Sequence, residues 1–188
     1  MIRQKTYDLL DLRLRTEYKR YRKLPGKDRY KLLSHTKYID PVWSDIKFKE
    51  IKKFSLKWST SIKYSNEPDL DTIITSNDPG IYFFYVKPKN QILGMPSFIT
   101  YVGIAGEKKP RSLRERLKEY FYISNIKKRS NVHTMFQIYL DEIYFSYAFY
   151  KGSAKNLRRL ETSLTEYFQP KWSSRDYEPE TKQKKAAW

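Results

Sequence analysis

The chain contains no cysteine and only two histidines, His35 and His133, among its 188 residues. The absence of cysteine excludes disulfides, thiolate zinc sites and a cysteine nucleophile. Two histidines are too few for a histidine-rich metal centre. The longest purely apolar run extends only from Ile81 to Val86, which is far short of a membrane span. Since the N-terminus carries early acidic residues and no secretory hydrophobic region, we expect an intracellular, cytoplasmic protein without a membrane partner.

Acidic charge is also scarce. Lys and Arg number 38 against 21 Asp and Glu, which gives a formal net charge of +17. Residues 1–63 hold 18 Lys/Arg against 7 Asp/Glu, so a net charge of +11 lies at the N-terminal end. Codon bias explains why 25 lysines outnumber 13 arginines, but it does not explain the surplus of cations. A positive field of this size favours a polyanionic partner, because each neutralised phosphate releases condensed counterions.

The periodicity of apolar residues divides the chain near residue 79. Residues 2–23 have helical spacing, whereas residues 54–64 alternate with a period of two, which predicts a half-buried strand with Lys57 and Lys63 on its polar face. Residues 64–78 carry four acids and no Lys or Arg, so we place a boundary there. The predicted organisation is a basic, DNA-binding N-terminal extension over residues 1–79, a core over 80–173 and a polar tail over 174–188.

The core is predicted to run β-β-α-β-α. Its strands cover residues 80–87, 98–104 and 142–150, and its helices cover residues 112–121 and 153–168. A capping box of Ser112 and Glu115 opens the first helix. These elements predict an α+β fold with a three-stranded mixed or antiparallel sheet flanked by helices.

One carboxylate falls on a helix face that should be buried. Leu157, Leu160 and Leu164 form an apolar stripe at about 100° per residue, and Glu161 lies inside it. A buried carboxylate is costly unless it pairs with a cation or binds a metal. The residues alone leave both interpretations open, a salt bridge to a buried arginine or metal ligation.

Five short elements occur in a fixed order along the core. They are Gly80-Ile81-Tyr82, Tyr101-Val102-Gly103, Arg116 in a basic helix, Glu161, and Gln169-Pro170-Lys171-Trp172. This ordered set resembles the GIY-YIG endonucleases, which cut phosphodiester bonds on a small α/β fold. The resemblance covers residues 80 to about 173.

The resemblance implies a role for each matched residue. Tyr82 would contact or activate the attacking water, and Tyr101 would hold the water or the phosphate in line. Arg116 would stabilise the charge that grows on phosphorus, with Tyr120 as an auxiliary residue. Glu161 would hold a single divalent metal, Mg²⁺ or Mn²⁺. Because phenol is a poor base at neutral pH, the metal and the arginine would have to lower the tyrosine pKa.

Two positions depart from the family pattern, and the interval between Tyr101 and Arg116 is lengthened by an apparent extra loop over residues 107–111. Ile104 replaces a lysine that often follows the second motif, and Ser173 stands where asparagine is common. Serine keeps one hydrogen bond but not the pair that an amide forms. The candidate nucleic-acid contacts outside the catalytic set are Lys57, Lys63, Lys108, Lys109, Arg111 and Arg114.

The function that we predict from the sequence is a divalent-metal-dependent DNA endonuclease that acts on double-stranded DNA. A restriction-type enzyme is the first expectation among biological contexts, and phage, mobile-element or repair nucleases follow it. One alternative is a non-catalytic nucleic-acid-binding module that keeps the fold. Another is a nuclease directed at RNA, since the aromatic residues could stack on unpaired bases.

Overall fold

The computed structural model of the 188-residue chain describes residues 45–87, 98–107 and 111–173, together with Thr16, Arg20 and Lys23. Those three residues have helical backbone, in the segment where a helix over 2–23 is predicted. The rest of that helix, the tail over 174–188 and the loop lysines Lys108 and Lys109 lie outside the described residues.

The described residues from 45 onward form six helices and four strands. In order, the elements are α1 (Asp45–Lys52), β1 (Ile62–Lys63), α2 (Leu70–Ile73), β2 (Gly80–Val86), β3 (Phe98–Ala105), α3 (Leu113–Lys118), α4 (Ile123–Lys127), α5 (Ser130–Tyr139), β4 (Ile143–Phe149) and α6 (Ala154–Phe168). Single 3₁₀ turns cover Tyr64–Asn66, Glu119–Phe121 and Leu140–Glu142. The predicted α+β class is confirmed. Within the described part of the chain, no helix has the length and apolar character needed to cross a bilayer.

The strands form one antiparallel sheet in the order β1-β4-β2-β3. The predicted sheet had three strands, and β1, which pairs through Ile62 and Lys63 with β4, is the fourth. β2 pairs with a neighbour on both sides, and side chains on both of its faces are buried. A strand that is covered on both faces has a continuous apolar sequence rather than an alternating one.

Each face of the sheet carries its own core. On one side, which we call the tyrosine face, Tyr82 and Phe84 pack with residues of α3, α4 and α5. On the other side, the α6 face, Ile81 and Phe83 pack against the leucines of α6. Successive side chains of a strand point to opposite faces, so β2 supplies both cores in turn.

The strand predicted over residues 54–64 is wrong except at Ile62 and Lys63. Phe54 and Leu56 pack against the core on the α6 face, whereas Ile62 and Tyr64 pack on the tyrosine face. The segment therefore passes from one face of the sheet to the other, with Ser55 at a positive φ of 47°. Its alternating apolar residues serve two cores rather than one.

Candidate functional site

Tyr82 forms the centre of a hydrogen-bonded cluster on the tyrosine face. Its Oη lies 2.6 Å from the Oη of Tyr120 and accepts a hydrogen bond from Nε of Arg116 at 3.1 Å. The ring of Tyr101 lies 6.3 Å from both the Tyr82 and the Tyr120 ring, measured between centroids. We call Tyr82, Tyr101, Tyr120 and Arg116 the tyrosine–arginine cluster. The structure thus brings together four of the five predicted catalytic residues.

Gly103 makes room for the Tyr82 side chain. The two residues are directly opposite each other in the β2–β3 register. A Cβ atom at position 103 would lie 2.4 Å from Tyr82 Oη and 2.5 Å from its Cζ. Such separations are far inside ordinary contact distance, so the glycine of the second motif allows the tyrosine of the first to lie over the neighbouring strand.

Tyr101 sits beside an irregularity in the β2–β3 pairing. It faces Phe84, and the register shifts immediately afterwards, so that Tyr85 faces Ile99. The intervening Thr100 is buried and donates its hydroxyl hydrogen bond to the carbonyl of Phe84 at 2.9 Å. Bulges of this kind redirect side chains and are frequent beside active sites. Unlike Tyr82, which is 0% exposed, Tyr101 keeps some of its surface accessible.

The surroundings of Tyr82 and Tyr101 in the protein raise both tyrosine pKa values, so the lowering that the resemblance implies would have to come from a bound metal. Burial raises the pKa of Tyr82 well above its usual value, and the nearby Arg116 opposes that effect without overcoming it. Burial likewise raises the pKa of Tyr101, with Tyr120 and Tyr82 adding to the shift. Both phenols therefore stay protonated at neutral pH. They are suited to donating hydrogen bonds rather than to acting as bases.

The Arg116 side chain is mostly buried, and 17% of it is exposed to solvent. Burial lowers the pKa of its guanidinium, but the oxygens of the three tyrosines and of Glu119 together raise it above its ordinary value. The guanidinium donates to Glu119 at 2.7 Å and lies over the Tyr120 ring at 5.6 Å. A charged group held this rigidly can stabilise negative charge without reorganising.

The other predicted nucleic-acid contacts are dispersed. Arg114 is tied by its side chain to Asn77 and lies 3.7 Å from Asp71, while Arg111 pairs with Glu119. Lys57 is exposed and outside any strand, and Lys63 lies in β1. The shared basic strand face that was predicted for Lys57 and Lys63 is therefore absent.

Glu161 is 5% exposed, so its predicted burial is confirmed. Glu161 belongs to α6, and α6 packs on the face of the sheet opposite to the one that carries the tyrosine–arginine cluster. Nη1 of Arg158 donates to its carboxylate, and Nε of Arg158 also lies 3.7 Å from Glu107. Glu161 thus forms a salt bridge, but its partner Arg158 is 45% exposed and is not the buried arginine that the sequence left open.

The donor chemistry of Glu161 fits one ligand of a hard divalent cation such as Mg²⁺. Among the described residues, no group of three or more His, Asp or Glu side chains is placed to hold a metal. A metal at Glu161 would therefore take its remaining ligands from the substrate, from water or from carbonyl oxygens. Arg158, whose side chain is 45% exposed, would have to move aside.

The sequence-based reasoning missed Arg129 and Glu119, and it named Ser173 only as a departure from the family pattern. Arg129 donates to Glu119 at 3.0 Å and lies over the Tyr120 ring, and no motif or periodicity indicated it. Glu119 itself was detectable as an i,i+3 partner of Arg116. The Ser173 hydroxyl accepts from the backbone N–H of Val102 at 2.9 Å, which fixes the strand between Tyr101 and Gly103.

Comparison of the chain with family models, with curated proteins and with solved structures found no match in any of the three. The assignment of function therefore depends on the residues and the geometry described above.

Proposed function

We propose that the chain is a divalent-metal-dependent endonuclease that hydrolyses phosphodiester bonds in DNA. The observation that carries this proposal is the contact of Arg116 with Tyr82 and, through it, with Tyr120. Tyr82 lies 34 residues before Arg116 and 38 before Tyr120 in the sequence, and the GIY-YIG resemblance names all three. A partly exposed guanidinium held by two buried phenols is a preorganised site for a phosphate in its transition state.

The geometry supports a division of roles that differs from the sequence-based one. Tyr82 has no exposed surface, so it positions Arg116 rather than contacting the attacking water. Tyr101 retains exposed surface and a protonated hydroxyl, so it donates a hydrogen bond to the phosphate or to the water. Arg116 neutralises the charge that develops on the phosphoryl oxygens.

Glu161 is the residue that would hold the metal. A bound Mg²⁺ would supply Lewis-acid polarisation of the phosphate and activation of water. β3 is the edge strand of the sheet and α6 packs against it. Residues 172 and 173 cover the edge of β3 at Thr100 and Val102, so a nucleic-acid strand that met both Tyr101 and Glu161 would pass around them.

A non-catalytic nucleic-acid-binding module is the second candidate. The observation that favours it is the pairing of Glu161 with Arg158, which occupies the carboxylate that would hold the metal. In that case, the buried tyrosines and Arg116 form a structural network, and the net charge of +17 alone provides affinity for nucleic acid.

Cleavage assays separate the two candidates. Supercoiled plasmid, single-stranded DNA and RNA are incubated with the full chain, with and without Mg²⁺. We expect Mg²⁺-dependent nicking of the plasmid, and preferential cleavage of RNA would instead support the RNA-directed alternative. Binding without cleavage of any substrate would support the non-catalytic module.

The Glu161→Gln variant tests the metal ligand. We expect it to lose cleavage while its metal-free binding to DNA remains near that of the wild type, since only the ligand oxygen is replaced. Glu166→Gln, on the same helix but less buried, is the matched control and should retain activity. Cleavage at the wild-type rate by Glu161→Gln would rule out Glu161 as the metal ligand.

A further inference from the structure

Three arginines, all within ten residues of it in the sequence, converge on Glu119. Arg116 and Arg129 both donate to the same carboxylate oxygen, Oε2, at 2.7 and 3.0 Å, and Arg111 donates to Oε1. All four side chains are partly exposed, with fractions between 17% and 36%. Arg111 also lies near Glu115, whose pKa is lowered chiefly by its hydrogen bonds to Ser112 and further by Arg111. Arg111 thus lies near two carboxylates, those of Glu115 and Glu119.

Two guanidiniums that share one oxygen are suited to a second anion. Each guanidinium has five N–H donors, and the bond to Glu119 uses only one from each. Because both contact the same atom, the two side chains are close enough to contact neighbouring phosphates of one strand. A single carboxylate cannot neutralise two guanidiniums, so a phosphate is favoured beside it.

Arg129 also lines a cleft next to the tyrosine–arginine cluster. The cleft has a volume of about 230 Å³, and its walls include Tyr101, Asn131 and Ser173. Pockets for drug-sized ligands enclose roughly 300–1,000 Å³, so this cleft suits one phosphate with part of its sugar rather than a whole nucleotide. The Asn131 amide, the Tyr101 phenol and the Arg129 guanidinium are of a type that donates to phosphate oxygens, whereas the Ser173 hydroxyl already donates to the carbonyl of Val102.

We propose that this cleft is a second phosphate subsite, in which Arg129 binds the nucleic-acid backbone phosphate next to the one that Arg116 contacts. Tyr101 separates the two phosphates, and Glu119 is a positioning residue that holds both guanidiniums before substrate binds. The inference rests on the nucleic-acid substrate of the proposed function, but it does not depend on cleavage. Binding measured without metal therefore tests it separately from the proposed hydrolysis.

The test compares Arg129→Gln with the matched control Arg159→Gln. Arg159 lies on α6 and pairs with a single carboxylate, that of Glu50, at 3.1 Å, so both variants remove one ion-paired arginine charge. The affinity of the full chain for a fluorescently labelled DNA duplex is measured in EDTA over a range of salt concentrations. We expect Arg129→Gln to weaken binding. The salt slope, that is, the slope of the logarithm of the binding constant against the logarithm of the salt concentration, should fall in magnitude by about 0.9, the contribution of one phosphate contact. Arg159→Gln should keep the wild-type affinity and slope.

Equal losses in the two variants, or no loss in Arg129→Gln, would overturn the proposal. If Arg129→Gln does not fold, as judged by circular dichroism, two other variants replace it. Arg129→Lys keeps the charge and should keep the wild-type slope, whereas Asn131→Asp places a negative charge in the cleft and should weaken duplex binding. Wild-type binding by Asn131→Asp would contradict a phosphate in the cleft.

Inorganic phosphate distinguishes the source of the anion. Its effect on the unfolding temperature is measured for the wild type and for Arg129→Gln. Loss of both duplex affinity and phosphate stabilisation in Arg129→Gln supports the backbone subsite. Stabilisation by phosphate that depends on Arg129, together with duplex binding that does not, would assign the cleft to free phosphate and overturn the proposal.

Discussion

Replacement of Gly103 by alanine tests the packing on which the tyrosine–arginine cluster depends. The new methyl carbon would lie 2.4 Å from Tyr82 Oη, 2.5 Å from Cζ of the same ring and 2.9 Å from Cε1 of Tyr101. The described glycine with a positive φ is Gly106 rather than Gly103, so the alanine backbone itself is unstrained. The consequence of the substitution is therefore steric.

The cost follows from what holds Tyr82 in place. To reach ordinary contact distance the ring has to move by about 1 Å, which overpacks a fully buried core at a cost of about 1–3 kcal/mol. The same movement breaks or lengthens the bonds from Tyr82 Oη to Tyr120 and Arg116, and an unsatisfied buried group costs about 1–3 kcal/mol. We expect a loss of about 3 kcal/mol in the free energy of unfolding, or a Tm lower by about 6–12 °C for a chain of this size.

Chemical denaturation monitored by circular dichroism measures this loss, with Gly152→Ala as the matched control. A Cβ at position 152 would also meet a tyrosine hydroxyl, Oη of Tyr150 at 2.2 Å, but Gly152 is exposed and Tyr150 is only partly buried. The control should therefore change stability by no more than about 0.5 kcal/mol. Replacement of glycine by alanine lowers the conformational entropy of the unfolded chain in both variants. This stabilising effect is similar in the two and cancels in the comparison. Equal stabilities of the two variants would refute the packing of Tyr82 against Gly103.

Two further predictions concern the same cluster. Arg116→Ala should lower the single-turnover cleavage rate by about 10² or more, whereas Arg114→Ala should affect mainly the affinity for DNA, and the opposite pattern would show that Arg114 is the catalytic arginine. Because burial raises the pKa of Tyr82 in the folded state, its contribution to stability is complete below the unfolded tyrosine pKa of about 10 and is lost as the pH rises above it. Tyr82→Phe should therefore flatten the alkaline decrease in the free energy of unfolding, as measured by urea denaturation at several pH values, and an unchanged slope would contradict a buried Tyr82.

The core elements were predictable because their patterns were long and were confirmed by local signals. The strand predicted over residues 80–87 is Gly80–Val86 in the structure, and the helix predicted over 153–168 is Ala154–Phe168. The capping box of Ser112 and Glu115 is present with both of its hydrogen bonds. In these segments local chemistry and tertiary packing favour the same conformation.

The helices α4 and α5 and the path of residues 54–64 were not predicted. α5 has Val132, Met135 and Phe136 at helical spacing, a signal that was available, but α4 has only five residues and no side-chain cap. In the segment over 54–64, the alternation predicted one buried face, yet the side chains are divided between two cores. Which core a residue joins depends on the path of the chain around the sheet, and local periodicity does not contain that information.

The candidate site also has some features that the sequence predicts and others that it does not. The burial of Glu161 follows from its place in an apolar stripe, so it was predictable from helical geometry. The contact between Tyr82 and Tyr120 joins residues 38 positions apart, and only the family resemblance indicated it. Arg129 reaches Glu119 because α5 begins at the next residue, so its role depends on an element that was not predicted.

The hydroxyl of Ser173 has a consequence for self-association. β3 is an edge strand, and edge strands expose backbone groups that can recruit another chain. Here the Ser173 hydroxyl bonds both the N–H and the carbonyl of Val102, and the N–H of Trp172 donates to the carbonyl of Thr100. The outer edge of β3 is therefore occupied by its own chain at these residues. A second molecule that sought to extend the sheet there would first have to displace residues 172 and 173, which protects this edge against aggregation.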